Sequence, residues 1–123
     1  MLNGNHERPN YLGVPSVAFT IPPIARVGML EEEAREKGLG VDVNHEKTAS
    51  WYTARRVAEE ASRFKVIAEE GGGRILGAHL IGPHADEVIN VFAFAIRHGL
   101  TSEHLKSTIF AYPTAASDIG YML

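Results

Sequence analysis

The chain has 123 residues, 45% of them hydrophobic, and a formal net charge of −3 from 12 basic and 15 acidic side chains; that suffices for one cored domain and offers no basic block of the kind a nucleic-acid binder carries. It holds no cysteine, which excludes a disulfide framework, a thiolate nucleophile, a cysteine-based zinc site and a redox dithiol within these residues. No apolar run reaches a membrane span and the first residues lack a signal-peptide core, so a soluble, cytoplasmic protein with no membrane partner is expected.

Residues 1–13 are polar and rich in Asn and Gly, and read as a flexible leader or linker remnant ahead of one domain over 14–123. Val14 to Phe19 is a short β-type run that Pro22-Pro23 must end or push to a sheet edge, and Ile24 to Gly28 is a second extended piece. Met29 to Lys37 is a helix, with Glu31, Glu32 and Glu33 early, Arg35 and Lys37 late, and Gly38 past its end. Leu39 to Asn44 reads as another strand. Residues 48–61 are ambiguous: alanine-rich and helix-permissive, yet opening on Trp51, Tyr52 and Thr53.

The plainest local pattern is a hairpin, Phe64–Glu70 and Arg74–Ile81, joined by three glycines that accept the positive φ of a tight turn. Ala85 to His98 is a helix stopped by Gly99, and eight of the nine residues Val88–Ile96 are apolar. A helix apolar nearly all round needs cover on most sides. Either its own domain sandwiches it or another subunit covers it. Thr101 resembles an N-cap, and Pro113 suits the start of a last short helix. Strands and helices without βαβ alternation define an α+β class: a mostly antiparallel β-sheet flanked by α-helices.

Few side chains suggest chemistry. The histidines at 6, 45, 79, 84, 98 and 104 lack metal-ligand spacing, and no metal site is expected. Gly71-Gly72-Gly73 joins strands without opening a helix, so it is no phosphate loop. The end segment differs, because Tyr112-Pro113 is a candidate cis peptide and Tyr112, Thr114 and Asp118 gather a phenol, a hydroxyl and a carboxylate within seven positions. From the residues alone it reads as a capped helix start or as a site, and both stay open.

Four blocks taken together carry a resemblance: Val14-Pro-Ser-Val-Ala-Phe-Thr-Ile-Pro-Pro-Ile-Ala-Arg-Val-Gly28, the short helix Glu31–Glu36, Gly73-Arg-Ile-Leu-Gly-Ala-His-Leu-Ile-Gly-Pro83 and Ala85-Asp-Glu-Val-Ile-Asn90. In this order they resemble the C-terminal dimerisation domain of the pyridine nucleotide-disulfide oxidoreductases, the family of glutathione reductase, dihydrolipoamide dehydrogenase and mercuric reductase. The resemblance implies a homodimer whose FAD and NAD(P)H are held by upstream domains of a parent chain, which also bring the redox cysteines. It implies no cofactor in this chain and no activity alone. It further implies that the end segment enters the partner's active site, Tyr112 standing in the catalytic position and Pro113 and Thr114 toward the partner's FAD.

In disulfide-reducing members that segment reads His-Pro-Thr, with a glutamate five positions after the histidine. Here Tyr112 replaces the histidine and Ser117 the glutamate, while Asp118 is one residue off and takes no role. A phenol with a pKa of about 10 is a poor base at neutral pH, which argues against glutathione- or lipoamide-type chemistry and leaves a metal ion or another acceptor open. The expected dimer surface is Val88, Val91, Phe92, Ala95 and Ile96 on the apolar helix. Another class of reading is a free-standing protein-interaction module of the same fold, using the same helix. A small enzyme in its own right has no converging nucleophile, base or metal set.

Overall fold

A computed structural model describes residues 9–123. Five strands form one sheet, antiparallel throughout, in the order β1–β2–β5–β4–β3. They are β1 (Ser16–Ala18), β2 (Ile24–Gly28), β3 (Val41–Lys47), β4 (Arg63–Glu69) and β5 (Ile75–Ile81). The helices are α1 (Glu31–Glu36), the single turn α2 (Tyr52–Arg55), the long α3 (Ala85–Arg97), α4 (Ser102–Lys106) and a C-terminal 3₁₀ helix (Ala115–Tyr121).

The proline pair leaves β1 only three residues long and at the sheet edge, where a missing donor costs nothing. The β4–β5 hairpin turns through Gly71 and Gly72, whose φ of 79° and 77° only glycine adopts freely. Arg74 Nε donates to Glu69 Oε1 at 3.1 Å across its base. α1 has the expected charge order, with Arg35 paired to Glu31 at 3.0 Å and Lys37 to Glu33 at 2.7 Å. The ambiguous stretch resolves into one helical turn that ends before Ala58, itself left-handed at φ 54°.

Alternation along the strands separates the two faces. Ala25, Val27, Phe64, Val66, Ala78 and Leu80 are buried on one of them. Helix α3 lies on that face across β2 and β5, filling it with Val88, Ile89, Phe92, Ala95 and Ile96. Ala25 and Ala78 are small, which lets the helix come close. Ile119 of the 3₁₀ helix and Leu105 of α4 complete the same core. α1 covers part of the other face, packing on β3 and pairing Glu31 with Lys65 of β4 at 3.0 Å.

Of the expected leader, residues 1–8 lie outside the described residues. The rest runs against α3, where Arg97 Nη1 donates to the carbonyls of Asn10 at 3.2 Å and Leu12 at 3.4 Å. Gly13 passes so near that a Cβ there would sit 2.8 Å from the Ala93 carbonyl oxygen.

Candidate functional site

The five residues expected at a dimer surface do not share one face. Val88, Phe92, Ala95 and Ile96 are buried by the chain's own sheet, and only Val91 keeps accessible surface. The physical reason is that α3 is less apolar all round than its composition suggests. Glu87, Asn90, Phe94 and Arg97 recur at helical spacing as its exposed stripe. Phe94, 60% exposed and not among the five expected residues, is the apolar residue of that stripe; its ring lies 4.4 Å from that of His98. The surface α3 can give to another molecule is therefore Phe94 with Val91.

The end segment is built from behind. Trp51 stacks tilted on Phe64 at 5.6 Å and meets Tyr121 edge-on at 6.1 Å, while Ile119 is fully buried. Thr53 Oγ1 donates to Asp118 Oδ2 at 2.7 Å, tying α2 to the 3₁₀ helix. Asp118 thus has a structural partner rather than a catalytic one. From this base the chain reaches outward through Tyr112-Pro113, a cis peptide in the structure, and the Tyr112 ring is 83% exposed.

Thr114 caps the 3₁₀ helix. Its Oγ1 accepts from the Ser117 amide at 3.3 Å and donates to the Ala111 carbonyl at 2.6 Å, and Ser117 Oγ donates to the Thr114 carbonyl at 2.6 Å. The helix thus begins after Thr114 rather than at Pro113. Ser117, in the place of the family's glutamate, is engaged in that cap and does not orient Tyr112.

Pro113 and Thr114 line a cleft of about 380 Å³ between the end segment, α2 and the first half of α3. Tyr52, Arg56, His84, Glu87 and Val91 line it too, and the Arg56 guanidinium lies 5.9 Å from the Tyr52 ring centre. His84 holds a left-handed conformation at φ 62° where α3 begins. Pro113, Thr114, Val88 and Val91 of this cleft are among the expected site residues, whereas Tyr52, Arg56, His84 and Glu87 are not. Tyr112 turns away from the cleft and, with Lys106, Phe110 and Tyr121, lines a second hollow on the far side of the segment.

A closed core thus carries an outward helix stripe and an exposed end segment. The family model of the pyridine nucleotide-disulphide oxidoreductase dimerisation domain matches residues 14–123, and the chain belongs to that family. It is 48% identical over its full length to an uncharacterised 19.7 kDa protein of a mercuric resistance operon in Staphylococcus aureus, covering 68% of that protein. It is 36% identical to the dihydrolipoyl dehydrogenase of Chlamydia muridarum, covering 92% of this chain and 24% of the enzyme. Among solved structures, the HOCl-induced flavoprotein disulfide reductase RclA of Escherichia coli superposes with a TM-score of 0.88 at 31% identity, over 98% of this chain and 28% of that one. The chain thus spans about a quarter of these full-length enzymes.

Proposed function

We propose that this chain is the homodimerising domain of an FAD- and NAD(P)H-dependent oxidoreductase, inactive alone, which presents Tyr112, Pro113 and Thr114 to the flavin site of the partner subunit. The observation that carries the reading is the end segment, which stands on the packed base of Trp51, Phe64, Tyr121 and Ile119 and leaves Tyr112 83% exposed. The Thr114 hydroxyl is spent on Ala111 and Ser117, so the groups offered outward are the Tyr112 phenol, the Pro113 ring and the Thr114 methyl.

A whole FAD does not fit this chain's own residues. Among the described residues the sheet is antiparallel throughout and holds no parallel β–α–β unit of the kind that sets a helix N-terminus against a pyrophosphate. The nucleotide domains of a parent would hold it.

Two observations favour an acceptor other than a small disulfide. Tyr112 stands where the disulfide-reducing members carry the acid/base histidine, and the 48% identical relative is named for a mercuric resistance operon. The same relative favours a second reading. A 19.7 kDa protein of which this chain covers 68% leaves about a third of its length for anything else, too little for two dinucleotide-binding domains of about 100–150 residues each. In that reading the chain is a free-standing interaction module that pairs through the same surfaces.

The first reading needs self-association through α3, whereas the second needs only a partner chain on the same helix. Phe94→Glu places a charge in the middle of the outward stripe without touching the core. Sedimentation equilibrium is expected to show a dimer for the unmodified chain and at least about a tenfold weaker association for the variant, the loss of an apolar interface anchor being worth upward of about 1.4 kcal/mol. A chain that stays monomeric at high concentration, or a variant that dimerises equally well, would count against this surface.

A further inference from the structure

The face of the sheet opposite α3 carries a second feature, independent of the dimer. Strand register sets Arg26 beside His79, His79 beside Lys65 and Lys65 beside His45, one row across four strands. The neighbouring row runs Ile24, Ile81, Arg63, Lys47. Six basic side chains thus occupy two adjacent rows, with neighbouring strands about 4.8 Å apart, in a chain whose net charge is −3.

Like charges directly opposite one another on a sheet are destabilising, and Arg63 faces Lys47 in this way. Among the described residues only Lys65 of the six has a carboxylate partner, Glu31, at 3.0 Å. His79 donates from Nε2 to the Met29 carbonyl at 3.1 Å, and burial, with Arg26 and Lys65 adding to it, holds its imidazole below the ordinary value. The row therefore avoids one further charge at its centre. Arg26, His45, Lys47 and Arg63 are exposed.

We propose that this face docks an acidic polypeptide segment of another protein, its carboxylates set against the exposed Arg63–Lys47 pair and the neighbouring His45. Two features select that partner. No Phe, Tyr or Trp stands in either row, so nucleic-acid bases have nothing to stack on. Glu31, Glu32 and Glu33 of α1 face the first row, Glu31 pairing with Lys65, Glu32 standing near His79 and Glu33 near Arg26, which leaves the second row clear of them. They would repel an evenly negative surface such as a lipid bilayer or a duplex, whereas carboxylates confined to one strand of chain pass beside them.

The probe is a fluorescein-labelled oligo-glutamate peptide, followed by anisotropy with the full chain across a salt series. Binding should weaken steadily as salt rises and drop at least about tenfold in the double variant Arg63→Glu/Lys47→Glu. A second double variant, Arg55→Glu/Lys106→Glu, changes net charge equally at exposed positions elsewhere and should bind like the unmodified chain. A single-stranded oligonucleotide and phosphatidylglycerol vesicles complete the set. The proposal is overturned if the two double variants lose binding equally, if Arg63→Glu/Lys47→Glu binds as well as the unmodified chain, or if the oligonucleotide or the vesicles bind more tightly than the peptide.

Discussion

Phe92→Ala should lower the unfolding free energy of the chain by about 3–5 kcal/mol, the usual cost of emptying a buried aromatic site. Phe92 has no exposed surface and sits with Ile89 and Ile96 where α3 crosses β2 and β5. The facing sheet residues include Ala25 and Ala78, too small to fill the space the ring would vacate. A small domain is stable by only about 5–15 kcal/mol, so a large fraction of its margin disappears. Phe94, two positions on and 60% exposed, supplies the contrast, since its truncation to alanine should move stability by no more than about 0.5 kcal/mol. Urea denaturation of the two variants checks both statements. Equal midpoints for Phe92→Ala and Phe94→Ala would mean that the inner and outer faces of α3 have been misassigned.

Gly28→Ala should be comparably damaging for a backbone reason. Gly28 ends β2 opposite Gly77 and adopts φ +73°, and a residue with a Cβ held there costs about 1–3 kcal/mol. Space makes matters worse, because the new Cβ would lie 2.2 Å from the Leu76 carbonyl oxygen and 2.8 Å from Ile96 Cδ1. That carbonyl already accepts from the Met29 amide at 2.9 Å, so relieving the clash means breaking the link between β5 and the start of α1. Gly38→Ala is the control: its φ is also +73°, but no atom lies within 4 Å of the new Cβ. Thermal unfolding should place Gly28→Ala well below Gly38→Ala. Equal midpoints would show that conformation alone, and not the close approach to Leu76, sets the requirement for glycine at 28.

What could be read from the sequence was whatever is encoded locally. The 64–81 hairpin announces itself by β-rich runs around three glycines, α1 by its charge order, and α4 by Thr101, which caps it with His104 in a reciprocal box. Tyr112-Pro113 was legible as a turn of a special kind. The outward face of α3 is less legible, for a physical reason. Counting apolar residues treats Ala93 and Phe94 alike, while the stripe of Glu87, Asn90 and Arg97 shows that Phe94 sits on the polar side. The cleft and the basic rows were out of reach. Tyr52, His84 and Pro113 meet only because α2, α3 and the end segment converge, and Arg26 stands beside His79 only because β5 inserts between β2 and β4.

Two copies of this chain are proposed to meet across α3, and the absence of cysteine lets one measurement decide it. A chain carrying Val91→Cys as its sole thiol can be joined by a short bis-maleimide only to another copy of itself. Rapid conversion to a covalent dimer is expected at low protein concentration, while Arg35→Cys on α1 should stay monomeric under the same conditions. Equal rates for the two single-cysteine chains, or no dimer from Val91→Cys, would contradict it.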